Sequence, residues 1–380
     1  MGLQTEIVFG QRISYVMYQN KMDVILGATA TNEGDAVENI GFRLTSEPAF
    51  FRDVVCGADR IGSFDSIDLR SNPSFKVELD PTVIESLTER MVSTVRLTAT
   101  DADGNVISES SCDVTVLPFN DWPGCDMPET IASFVTPNAS SLAGIRASMS
   151  DILASWGKSP SLEGYQSDRD RVLEMAAAAY AALEKANITY VNPPAGFESS
   201  GQRVRLPDEV LGNHEGTCID LAVLYASVLE SIGLNTMVHI VRGHAFAGLW
   251  LVDDYHPEMV MYDSSATTRR IRNGEMRAVE CTTFTNGSRM GFEDACRSAL
   301  SKLEDADSFI CTVDIRRTRT MITPLPVRKL VEGEWVVERE ERESITYAPS
   351  PADEIYADME SRQLTRVDRW KRDLLDITNR

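Results

Sequence analysis

The chain has 380 residues, 43% hydrophobic and 25% charged, with a formal net charge of −21. That length exceeds one ordinary small core and predicts two domains plus extensions, while so negative a balance repels phosphate backbones and argues against direct nucleic-acid binding. No run of about 18 apolar residues and no basic-then-apolar leader occurs, so neither a membrane helix nor a secretory signal is expected.

Residues 1–118 read as all-β. Met22–Thr31, Asn39–Leu44, Phe75–Leu79, Met91–Thr100 and Val106–Leu117 are short segments rich in Val, Ile, Thr and Phe, and partly alternating. Asp101-Ala102-Asp103-Gly104-Asn105 supplies turn chemistry between the last two, which predicts a hairpin. Strands at this spacing suggest an immunoglobulin-like β-sandwich serving as a structural or interaction module. Asn120-Asp121-Trp122-Pro123-Gly124 then reads as a turn-rich linker, extending over 119–140.

From residue 141 the period changes to that of a helix. Leu142, Ile145, Met149, Ile152 and Leu153 share a face within Ser141–Trp156, as do Val172, Leu173, Ala176, Tyr180 and Leu183 within Asp168–Lys185. After a Pro-containing segment comes Gly216–Leu251, read as a buried helix, a strand, an Arg242-Gly243 break and a second strand opening on His244. Further on, strands are expected at Met259–Asp263, Met276–Thr285 and Phe309–Ile315, with a helix at Phe292–Leu303. An acidic run in Gly333–Thr346 reads as a solvated edge or linker. A final stripe of Leu364, Val367, Trp370, Leu374 and Ile377 makes an amphipathic helix with no visible partner, which suggests that the natural polypeptide continues. The domains are thus 1–118, a linker at 119–140, 141–328 and an extension at 329–380.

The chemistry concentrates at the start of the central helix. Thr217 suits the N-cap and Asp220 the reciprocal capping position, which puts Cys218 in the first turn; Gly233 suits the residue past the C-terminus. A thiol there feels free backbone N–H groups and the positive end of the helix dipole, which favour thiolate. A histidine at the head of a nearby strand, His244, supplies the proton acceptor of a nucleophilic pair. Taken singly, a buried cysteine or a satisfied imidazole is ordinary; the pairing is what points to catalysis. The seven cysteines, at 56, 112, 125, 218, 281, 296 and 311, include no CxxC pair, and only four histidines are present. Neither a zinc site nor any other metal or cofactor is expected, and reduced thiols fit a cytoplasmic protein.

The segments GTCIDLAVLYASVLESIGL and GHAFAGLWL resemble the transglutaminase-like, papain-related superfamily of cysteine hydrolases, over roughly residues 140–320. The resemblance implies an α+β core with a nucleophile helix packed on an antiparallel sheet, and a Cys–His–acid triad with Cys218 as nucleophile and His244 as general base and then acid. It implies an acid on the strand after the histidine strand. Asp263 fits on spacing; Glu280 lies on the stronger strand, with Thr282 beside it; both stay open, with a slight preference for Glu280. Gln202, upstream of the nucleophile, is a candidate oxyanion donor by the same likeness.

Over almost its whole length the chain is also similar to the N-terminal region of very large bacterial proteins in which helicase and restriction-endonuclease-like domains follow. GYQ, PPAGFE, GQRVRLP, GTCIDLA, GHAFAGLWL, VECT and VDRWKRDLLDITNR carry this likeness. No GxxxxGK[ST] motif occurs in these residues, so motor activity is not expected of them. Two functions compete. One is a hydrolase or acyl-transferase acting on peptide or isopeptide amides through a thioester, with a protein or peptide as substrate. The other is an inactive papain-like module regulating attached helicase and nuclease domains. No membrane partner is expected.

Overall fold

Period-two alternation governs the first third of the chain. A computed structural model describes residues 2–288, 290–331 and 334–337; the acidic run beyond Val337 and the terminal amphipathic helix lie outside them. The main early strands are β1 Leu3–Phe9, β2 Ile25–Asn32, β3 Val37–Glu47, β4 Val54–Ile61, β5 Met91–Thr100 and β6 Val106–Val116. In β5, Ser93, Val95, Leu97 and Ala99 are buried and their neighbours are not. β1 and β2 pair antiparallel, with Ser66–Asp68 on the far side of β2. β6, β5, β3 and β4 form a second antiparallel sheet, to which Arg12–Ile13 adds parallel to β6.

The β5–β6 hairpin closes through the expected turn, where Asp101 Oδ1 accepts the Asp103 and Asn105 N–H groups at 3.0 and 2.8 Å. The two sheets bury Ile7, Ala28, Phe42, Leu44, Val95 and Leu97 in one core. Phe75–Leu79, expected as a strand, forms only the isolated Phe51–Leu79 bridge. Phe75 fills the core while its N–H closes a turn onto the Asn72 carbonyl, and Asp80 caps a helix at once afterwards.

The second part is built around α1 Leu142–Ser155, α2 Arg169–Lys185 and α3 Cys218–Glu230. These are followed by β7 Thr236–Val241, β8 His244–Trp250, β9 Val260–Met261, α4 Ser265–Arg272, β10 Met276–Val279, α5 Phe292–Glu304 and β11 Phe309–Asp314. The sheet runs β9–β11–β7–β8–β10, antiparallel at each step. The chain is therefore a mixed α+β protein with several antiparallel sheets.

α3 is buried from Cys218 to Leu229 because both of its flanks meet apolar layers. Cys218, Ile219, Val223 and Ala226 join the core that also holds the early sheets. Leu221, Leu224, Tyr225 and Val228 pack among the apolar faces of α1 and α2. Beyond the sheet, Phe246, Trp250 and Met276 meet Ile271, Ala299 and Leu303 of α4 and α5.

The stretch 119–140 departs from the linker that its Asn, Asp, Pro and Gly residues predict. Phe119, Trp122, Ile131 and Phe134 are fully or almost fully buried, and Asp121–Trp122 pairs antiparallel with Gln202–Arg203. Local turn chemistry is present, but burial of large aromatic rings decides where the segment goes. That pairing leaves no room for a side chain at residue 201: a Cβ on Gly201, whose φ is +69°, would lie 2.2 Å from the Trp122 carbonyl oxygen.

Candidate active site

Thr217 occupies the N-cap of α3, with φ −82° and ψ 173°, and Cys218 is the first helical residue. The Thr217 N–H donates to Asp220 Oδ2 at 2.9 Å, the reciprocal half of a capping box. Asp220 also accepts the Arg205 N–H at Oδ1, 2.9 Å, and the Arg205 guanidinium at Oδ2, 3.1 Å. Burial pushes this carboxyl up, against those hydrogen bonds and the arginine charge. The helix start is thus pinned by a side chain of its own first turn.

Cys218 Sγ is buried and accepts N–H groups from Ala245, the residue after His244, and from Ile219. Loss of solvation is the largest influence on the thiol and pushes it up to about 12; the Ala245 and Ile219 N–H groups pull it down, and the charges of Asp220 and Glu280 raise it. This reverses the sequence expectation of a thiolate. Helix-start donors do favour the anion, but in a fully covered position the desolvation cost exceeds them.

Tyr190, which the sequence reading passes over, adds its hydroxyl to Cys218 Sγ as a hydrogen-bond partner. It arrives through Thr189–Tyr190, which pairs parallel with Glu215–Gly216 just ahead of α3. Burial, and then the nearby Cys218 and Glu280, push the phenol up to about 12.

The β7–β8 hairpin turns through Arg242-Gly243, with Gly243 at φ +71°, a left-handed conformation that favours glycine. The turn delivers His244, half-buried, to the head of β8. Its Nε2 lies 2.7 Å from Glu280 Oε2. Glu280 follows β10, the neighbour of β8, and its Oε1 accepts the Thr282 N–H at 3.1 Å and hydroxyl at 2.8 Å. These bonds end the strand and open a 3₁₀ turn over Cys281–Phe284, so the strand expected at Met276–Thr285 stops at Val279. Lys302 of α5 places Nζ 3.0 Å from Glu280 Oε2. Burial would raise the Glu280 carboxyl; the His244 hydrogen bond and charge, the Lys302 charge and the Thr282 hydroxyl outweigh it and hold the group at about 2.

Glu280 and Asp263, both open on sequence with a slight preference for Glu280, have different places. Asp263 is exposed and follows β9, at the opposite edge of the sheet from β10. It accepts the Ser265 N–H at 2.8 Å and hydroxyl at 2.6 Å at the start of α4. Asp263 is a local turn residue; the carboxylate on His244 is Glu280.

Gln202 is buried beside the N-cap, its Nε2 3.1 Å from Thr217 Oγ1, and its Oε1 is buried without a hydrogen-bond partner. Rotating the amide by half a turn exchanges the two atoms, letting Oε1 accept the Thr217 hydroxyl and leaving the NH₂ as an unused donor. Among the described residues, no group of three His, Cys, Asp or Glu side chains is arranged to hold a metal ion. No helix among them is long and apolar enough to cross a membrane.

No family model matches the chain, and no curated protein sequence does. Among solved structures, the CARDB domain of a Pyrococcus furiosus protein, in complex with di-metal ions, matches at 12% identity. That match covers 30% of this chain and 93% of the other, with a TM-score of 0.19. A family 76 glycoside hydrolase from a bovine Bacteroides thetaiotaomicron strain matches at 9% identity, over 70% of this chain and 56% of the other, with a TM-score of 0.15. At these scores neither likeness bears on fold or function.

Proposed function

We propose that the chain is a transglutaminase-like cysteine hydrolase or acyl-transferase acting on peptide or isopeptide amides, with Cys218, His244 and Glu280 as its triad. The observation that carries the reading is the 2.7 Å contact between His244 Nε2 and Glu280 Oε2 at the strand whose next N–H, that of Ala245, donates to Cys218 Sγ. With Nε2 committed to the carboxylate, Nδ1 is the nitrogen that takes the thiol proton. Sγ attacks the amide carbon, and the carbonyl oxygen becomes an oxyanion facing donors at the start of α3, with the Gln202 amide as a further donor. The imidazolium, steadied by Glu280, gives its proton to the departing amine as the C–N bond breaks, leaving a thioester on Cys218. Water or a second amine, deprotonated by His244, then attacks the thioester, and the thiol regains its proton.

The resemblance of GTCIDLA and GHAFAGLWL to that superfamily supports this reading. So does the arrangement of α3 against an antiparallel sheet. The early pair of sheets serves as an immunoglobulin-like module, and the whole as the front of a larger cytoplasmic DNA-processing protein, on the likeness of the chain to such N-terminal regions.

One observation favours the second reading, a catalytically inactive papain-like module that regulates attached domains: Cys218 is covered, and its thiol is pushed up to about 12. An acyl-donor test separates the two. Incubation with an activated acyl ester, read by intact mass and peptide mapping, is expected to give a thioester at Cys218 in preference to the other six cysteines. The rate in H244A is expected to fall by about 10²–10⁴-fold, the usual worth of a general base. Acylation of Cys218 no faster than of the other thiols, or unchanged in H244A, decides for the inactive module.

A further inference from the structure

Glu280 Oε2 has two nitrogen partners. His244 Nε2 is 2.7 Å away and Lys302 Nζ 3.0 Å away, so the two nitrogens are no more than 5.7 Å apart, the sum of those distances. The carboxylate is 2% exposed, whereas the Lys302 side chain, reaching in from α5, is 37% exposed and remains in contact with solvent. Lys302 Nζ is also held 3.2 Å from Ser298 Oγ, one turn earlier on the same helix.

We propose that Lys302 is a positioning residue of this site, which sets the protonation of His244 by sharing the Glu280 carboxylate with it. A lone buried carboxylate beside an imidazole stabilises the imidazolium fully. An ammonium on the same oxygen neutralises part of that charge and repels a second cation, so the imidazolium gains less from the carboxylate than it would without the lysine. The titratable groups that feel the Glu280 charge are Cys218 from α3, Tyr190 from the segment ahead of it and Cys281 from the 3₁₀ turn, with Lys302 from α5 in direct contact. The first three are neutral or anionic, and Lys302 is the cation among them. A general base in a Cys–His pair has to be neutral before the thiol can pass its proton to it, which gives the ammonium a catalytic purpose. That purpose rests on the proposed triad; the effect on His244 does not.

The test uses the full 380-residue chain labelled with ¹³C at histidine Cε1. Its four histidines give few enough signals to follow, and H244Q assigns the one that matters. At a separation of at most 5.7 Å, with a lysine in contact with solvent, loss of the ammonium is expected to raise the His244 midpoint by about 0.5–1 pH unit. K302M and K302Q both give this rise, the second while keeping a hydrogen-bond donor near the carboxylate, and K302R returns the midpoint to its wild-type position. A midpoint that is unmoved or lowered in either folded neutral variant overturns the proposal. Cys218 acylation is followed on the same samples. Inert Cys218 with a raised midpoint removes the catalytic reading and keeps the inference; reactive Cys218 with a fixed midpoint does the reverse.

Discussion

Glu280 holds His244 with one oxygen and caps its own chain with the other: Oε2 lies 2.7 Å from His244 Nε2, while Oε1 takes the Thr282 N–H and hydroxyl. One side chain therefore fixes both the imidazole and the 3₁₀ turn that ends β10. A carboxyl held at about 2 in the folded state, against about 4.3 in an unfolded chain, stabilises the fold above the unfolded value and loses that contribution as pH falls through the folded value. Urea unfolding between pH 5 and pH 2 is expected to show the wild type losing about 2–3 kcal/mol more than E280Q over that range. Parallel acid limbs for the two proteins would show that Glu280 is not held as an anion.

Tyr190 and Cys218 make the next expectation. A neutral hydroxyl beside a sulfur stabilises the thiolate more than the thiol, because it donates to the developing charge. Removing it in Y190F, with the ring kept in place, is expected to slow iodoacetamide alkylation of Cys218 at pH 9 by about tenfold, the worth of one hydrogen bond to a charged group. Peptide mapping of all seven cysteines supplies the internal control. Faster alkylation in Y190F would mean that the hydroxyl only covers the thiol.

Local features of the sequence are legible where neighbours along the chain decide the outcome. The alternation in Met91–Thr100, with Asp101 closing the turn, specifies a hairpin from adjacent residues. Thr217 and Asp220 specify the start of α3 in the same way. What stays hidden is set by pairing between distant segments. Nothing near Tyr190 says that it lies beside Glu215–Gly216, and nothing near Lys302 says that it reaches Glu280, 22 positions earlier. The choice between Asp263 and Glu280 turns on strand order, because β9 and β10 end up at opposite edges of the sheet. Trp122 shows the converse: its neighbours spell a turn, and the core takes it anyway. The thiol of Cys218 combines both cases, since its place at the helix start is local and the covering that suppresses its ionisation comes from elsewhere.

Gly201 tests the contact that carries Gln202 to the N-cap. Both its φ of +69° and the 2.2 Å approach of a Cβ to the Trp122 carbonyl oppose any side chain. G201A is expected to destabilise the protein by at least about 2 kcal/mol, since the left-handed strain and a backbone clash add. Chemical denaturation measures it, with G212A as the comparison, where a Cβ meets nothing within 4 Å and φ is not positive. Equal midpoints for the two variants would mean that the Asp121–Trp122 pairing with Gln202–Arg203 is not formed.

The covered thiol leaves a mark at alkaline pH. Cys218 is pushed up to about 12 when folded, against about 8.5 for a free cysteine, so the folded chain keeps a proton that the unfolded chain gives up. A raised value of this kind contributes stability in full below the unfolded value and loses it as pH rises toward the folded one. Between pH 8 and pH 10.5 the wild type is therefore expected to lose about 2–3 kcal/mol more than C218S, which has no thiol to ionise. Cys281 and Cys296 are also buried and pushed up, and they are present in both proteins, so the difference between the two curves isolates residue 218. If Cys218 were instead a standing thiolate in the folded state, the sign would invert: the wild type would gain on C218S as pH rose through 8.5. Denaturant midpoints at four or five pH values distinguish the slopes.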